Sequence, residues 1–114
     1  MNRVFVCREC RGGGAALAEA AARILADRPN WRVTLAGCMS GCRGGASLAA
    51  RAPGKTAYLF SPVEPEDLPG LAAFAALYEA SPDGDIQDAR PLGSLRLKAL
   101  ARIPAHPFAL DPEA

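Results

Sequence analysis

The chain has 114 residues, half of them apolar and 22% charged, with a formal net charge of +1. Such a length and balance predict a single globular domain over residues 1–114, large enough to bury its own core. Near-neutral charge gives no basis for a nucleic-acid partner, and the longest helix-like apolar stretch, residues 71–77, is far too short to span a bilayer. Charge is unevenly spread, however. Residues 1–60 carry nine Arg and Lys against Glu9, Glu19 and Asp27, whereas residues 61–114 carry four against nine acids.

In chain order, Arg3–Val6 is β-branched and aromatic and predicts a short buried strand. Gly12-Gly13-Gly14 permits a turn. Ala15–Asp27 is Ala-rich, with Leu17, Ala21, Ile24 and Leu25 on one helical face, and Arg28-Pro29-Asn30 ends it. Trp31–Ala36 is the second strand. Strand, helix and strand with short joins form a βαβ unit, so the two strands are expected to be parallel neighbours. Ala46–Arg51 and Thr56–Phe60 read as a hairpin around Pro53-Gly54, where Gly takes the positive φ of a type II turn. Glu66–Glu79 is the second helix, with acids and Pro69 near its start and Leu71, Phe74, Ala75 and Tyr78 on its buried face. Residues 86–114 form a proline-broken tail, which reads either as a short helix or as an extended arm against the sheet. The expected class is α/β, with a four-stranded mixed sheet and helices packed on it.

The chemistry lies in the cysteines. Cys7, Cys10, Cys38 and Cys42 form two close pairs, each where a predicted strand runs out. Parallel neighbouring strands would deliver both pairs to one sheet edge. Four thiolates meeting there make a soft, four-coordinate site suited to zinc or to an iron–sulfur cluster. No secretory signal is read at Met1-Asn2-Arg3, so a cytoplasmic setting is expected, in which metal or redox chemistry is favoured over structural disulfides. Both pairs fit the C-x₂₋₄-C spacing of zinc sites. The apolar content suffices for a core without a metal staple, which favours a functional cluster. Arg8, Arg11 and Arg43 lie within a residue of a cysteine. Cations there would offset the negative charge of a [2Fe–2S] centre and steer an acidic redox partner protein.

Other readings are weaker. Cys7-x₂-Cys10 between a strand and a helix resembles a thiol–disulfide oxidoreductase motif, but the usual Gly-Pro between the cysteines is missing, and Cys38 and Cys42 would have no task. Gly54-Lys55-Thr56 resembles the end of a phosphate-binding loop, but Ala49 stands where its first Gly is needed. His106, the one histidine, lies far along the chain from the cysteines. No paired carboxylates or Ser/His/Asp set points to an enzyme.

Taken together, Val4-Phe5-Val6-Cys7-x-x-Cys10-Arg11, Cys38-Met39-Ser40-Gly41-Cys42, Pro53-Gly54-Lys55-x-x-Tyr58-Leu59-Phe60 and Ala101-Arg102-Ile103-Pro104 resemble a bacterial family of predicted metal-binding proteins of unknown function. That family is similar to the thioredoxin-like [2Fe–2S] ferredoxins. The resemblance spans nearly the whole chain. It implies a thioredoxin-like βαβ–ββα fold, a [2Fe–2S] cluster held by Cys7, Cys10, Cys38 and Cys42, one-electron transfer, a homodimer, and a link to cobalt or cobalamin metabolism. The first cysteine pair is more closely spaced here than in the better-known ferredoxins of that type.

Overall fold

The computed structural model describes residues 1–8, 14–37 and 45–105. Among them are five strands and two α-helices: β1 (Asn2–Cys7), α1 (Gly14–Ile24), β2 (Trp31–Ala36), β3 (Leu48–Arg51), β4 (Ala57–Phe60), α2 (Leu68–Ala80) and β5 (Ala99–Ile103). Short 3-10 segments at Pro65–Asp67 and Arg90–Lys98 precede α2 and β5. The strands form one mixed sheet in the order β2-β1-β3-β4-β5. β1 and β2 are parallel, as the βαβ pattern requires, and the remaining pairs are antiparallel.

Alternation along β1 puts Val4 and Val6 on the face where the helices lie. Leu17, Ala21 and Leu25 of α1 are buried with them, alongside Leu71, Phe74, Ala75 and Tyr78 of α2. The helix faces read from periodicity are therefore the packed ones, with Ile24 only partly buried. The centre of this layer is aromatic. Phe74 lies 5.2 Å from Tyr58, 5.4 Å from Phe60, 5.1 Å from Tyr78 and 6.4 Å from Trp31, ring centre to ring centre. Three of these contacts are edge-on, an arrangement that the ring quadrupoles favour. Burial lifts the Tyr78 phenol to about 12. It stays protonated and donates to the Thr56 carbonyl at 2.6 Å.

The β3–β4 hairpin turns as expected. Gly54 has a φ of +73°, and the Lys55 amide donates to the Ala52 carbonyl at 3.1 Å.

Five strands replace the four expected, because the tail supplies one. The two readings of that tail are both partly realised. A 3-10 segment buries Leu92 and Leu95 against the core, and the chain then extends as β5 along β4, with Ala57 opposite Ile103 and Tyr58 opposite Arg102. A buried carboxylate fastens this arrangement. Asp67 is 1% exposed. It accepts from the Ser94 hydroxyl and the Glu64 amide and lies 3.0 Å from the Lys98 ammonium, so α2's entry is tied to the segment leading into β5. Burial alone would raise the Asp67 pKa, but the donors outweigh it and the net shift is downward from 3.8.

Two consequences can be measured. Phe74→Ala should cost about 3–5 kcal/mol in denaturant unfolding, as expected for an aromatic removed from a filled core. Asp67→Asn should cost about 1.5–3 kcal/mol near neutral pH, the range for hydrogen bonds to a charged group. Because the folded pKa of Asp67 is lowered, its contribution is fully present above the unfolded value of 3.8 and is lost as pH falls through the folded value. The parent should therefore lose stability more steeply below pH 3.8 than Asp67→Asn does, and equal slopes would count against this role.

Candidate metal centre

Cys7 is the last residue of β1 and is 0% exposed. β1 lies between β2 and β3, so Cys7 has a neighbour on either side. Across the parallel pair it stands opposite Ala36, and the Arg8 amide donates to the Ala36 carbonyl at 3.0 Å. On the other side its own amide donates to the Ser47 carbonyl at 3.1 Å. Ala36 and Ser47 flank the stretch of sequence that contains Cys38 and Cys42. The connection from β2 to β3 thus leaves on one side of Cys7 and returns on the other.

Cys10, Cys38 and Cys42 themselves lie outside the described residues, as do Arg11, Arg43 and His106. Among the described residues no group of three or more His, Cys, Asp or Glu side chains is placed to hold a metal ion. Arg8 is described and exposed.

Three features around Cys7 escape sequence reading. The first is Gly14, which opens α1. A Cβ built there would stand 2.2 Å from the Cys7 carbonyl oxygen. Only a residue without a side chain lets the helix start so close to the strand end. The partial positive charge of a helix N-terminus then lies beside the end of β1, where negative charge is favoured. The Gly12-Gly13-Gly14 run signals a turn but not which glycine is sterically required.

The second is Ser47, also 0% exposed. Strand alternation places Cys7 on the same side as Arg3 and Phe5. Arg3 is exposed and Phe5 is half-buried, so that side of the sheet is closed at the Cys7 end and open at the other. The third is Pro62, joined to Ser61 by a cis peptide bond. A Cβ on Gly45 would come within 2.7 Å of the Pro62 side chain, and the Val63 amide donates to the Ala46 carbonyl at 2.9 Å. The segment after β4 therefore braces the point where the chain re-enters the sheet.

These features define a small α/β protein whose first strand, interior to the sheet, ends in a buried cysteine, between the two flanks of a second cysteine-bearing stretch. Residues 4–105 match the model of a family described as "Protein of unknown function (DUF1636)", and the chain belongs to that family. No curated protein matches the chain, and no solved structure does.

Gly14→Ala should destabilise the fold by about 1–3 kcal/mol, the usual range for overpacking, although Ala is the better helix former. Urea unfolding of the variant reads this directly. An unchanged or raised midpoint would mean that the helix start is not wedged against Cys7.

Proposed function

We propose that this protein is a small iron–sulfur carrier, a thioredoxin-like domain in which Cys7, Cys10, Cys38 and Cys42 hold a [2Fe–2S] cluster. The observation that carries the reading is the position of Cys7, flanked across the sheet by Ala36 and Ser47, from which the chain runs to and from Cys38 and Cys42. The element order supports the finer fold assignment: a βαβ unit, an antiparallel hairpin and a helix, with β5 added beyond that core.

When bound, the cluster supplies a one-electron couple that protein side chains lack. The chain's own residues do the rest. Cys7, shielded from solvent, would offer its sulfur to the cluster. The N-terminus of α1, held close by Gly14, lowers the cost of negative charge at the end of β1. No bond is made or broken in a substrate, and the basic first half of the chain suits an acidic redox partner.

A second reading, a zinc or metal-handling module without a redox role, is favoured by the complete burial of Cys7, which also suits a closed structural zinc site. Metal and sulfide analysis of anaerobically purified protein separates the two. The carrier reading expects brown protein with about two irons and two sulfides per chain, bleached by dithionite, and Cys10→Ser should lose or strongly alter the absorption. Colourless protein with about one zinc per chain would replace the carrier by the second reading. Protein holding neither metal would remove both.

A further inference from the structure

The helices cover one face of the sheet. On the other, the strand register builds two rows of side chains. Arg32 of β2, Arg3 of β1 and Arg51 of β3 stand side by side across three strands. Next to them run Thr34, Phe5, Ala49, Leu59 and Ala101. All three arginines are exposed, and neither row contains an acid.

Like charges directly opposite on neighbouring strands repel. Four other cations meet acids: Arg28 pairs with Glu79, Arg90 with Asp88, Arg102 with Asp85, and Lys98 with Glu64 and Asp67, while Arg23, Lys55 and Arg96 have no carboxylate partner among the described residues. Among the described residues Arg3, Arg32 and Arg51 have no such partner. A hollow of about 310 Å³ opens at two of them, lined by Met1, Arg3, Phe5, Arg51, Ala52 and Pro53. That is close to the lower end, about 300 Å³, of cavities that take small molecules. Its lining combines two permanently charged, planar donors with apolar and aromatic surface and no carboxylate. A guanidinium pair recognises carboxylate or phosphate oxygens through paired hydrogen bonds. The Phe5, Ala52 and Pro53 lining would be left in water by a bare inorganic anion.

We propose that Arg3 and Arg51 form a binding site for a small organic anion, a carboxylate or phosphate ester carrying an apolar or aromatic body, with Arg32 adding positive charge at its margin. The site lies four residues along β1 from Cys7, about 13 Å at strand rise, and does not depend on whether the cysteines bind a cluster.

Calorimetric titration of the full chain at low salt tests it, using phenyl phosphate and benzoate, with inorganic phosphate and phenol as comparisons. The expected result is saturable binding of phenyl phosphate with a Kd of about 1 mM or tighter, at least about tenfold tighter than inorganic phosphate, and no binding of phenol. Arg3→Gln and Arg51→Gln should each weaken binding about tenfold, while Arg90→Gln, on a residue paired with Asp88, should leave it unchanged. Should a Gln variant not fold by circular dichroism, Arg51→Lys, which keeps the charge but loses the planar fork, should still weaken binding. The proposal is overturned by the absence of saturable binding up to about 10 mM, or by binding that survives the Arg3→Gln, Arg51→Gln double variant. Equal affinity for phenyl phosphate, inorganic phosphate and a Glu-rich peptide would also overturn it, since the face would then be a general surface for acidic proteins.

Discussion

The parallel pairing of β1 with β2 is the constraint on which the rest of this molecule depends. It runs without interruption from Asn2 opposite Trp31 to Cys7 opposite Ala36. Parallel strands cannot be joined by a tight turn, so the chain between them must cross the sheet, and it does so as α1. The crossover decides which face is covered. It also decides which ends coincide, because both strands finish at the same edge. Had β2 returned antiparallel, the chain following Ala36 would have emerged at the Arg3 end of the sheet, far from Cys7. β3 then enters on the other side of β1, with the Ser47 carbonyl taking the Cys7 amide. The cysteine that ends the first strand is thus held by backbone hydrogen bonding on both sides before any side-chain chemistry is considered.

Covering only one face has consequences for both layers. The covered side must supply nearly all of the hydrophobic stabilisation, and it does so with a compact aromatic group centred on Phe74. A helix carrying Phe74 and Tyr78 one turn apart meets strands carrying Tyr58 and Phe60, so large rings fill a layer that a single sheet and two helices would otherwise leave thin. The other side stays accessible along β1, β2 and β3, and Arg3, Arg32 and Arg51 are displayed there. The charge asymmetry visible in the sequence therefore has a spatial form. Several acids of the second half pair with cations of the same half, such as Asp85 with Arg102 and Asp67 with Lys98, and Glu79 pairs with Arg28. Among the described residues none of them pairs with Arg32, Arg3 or Arg51.

Much of this was legible in the sequence where local chemistry dictates the outcome. Trp31–Ala36 is a strand with the boundaries its β-branched and aromatic content suggested. The turn at Pro53-Gly54 forms because Gly accepts the positive φ that Pro sets up. The face of α2 follows from helical spacing. β5 was not legible, for a physical reason. Its residues, Ala99–Ile103, are mostly exposed and show no alternation. The strand exists because β4 offers unpaired backbone groups at the sheet edge and because Leu92, Leu95 and the contact between Asp67 and Lys98 hold the preceding segment in place. Those are tertiary causes that no window of sequence contains. Of the candidate site, the placement of Cys7 at a strand end was readable. The required absence of a side chain at Gly14 was not, because it depends on how near the helix start comes to a carbonyl from another element.

The same limit hides the arginine row from any window of sequence. Arg3, Arg32 and Arg51 are widely separated in the chain, and each alone is an ordinary solvated cation on a strand. Only register makes them neighbours, and register is a property of pairing, not of local composition. The two ends of β1 consequently serve different chemistry on one strand. At its start, alternation and an uncovered face leave guanidinium groups and the Phe5 ring accessible to solvent. At its end, Cys7 is fully buried, with the start of α1 against its carbonyl. A short interior strand can serve both because its neighbours differ in direction: β2 runs alongside and ends with it, while β3 begins where it ends. The first relation brings Ala36 beside Cys7, and the second brings Ser47 beside Cys7 and carries Arg51 back to Arg3.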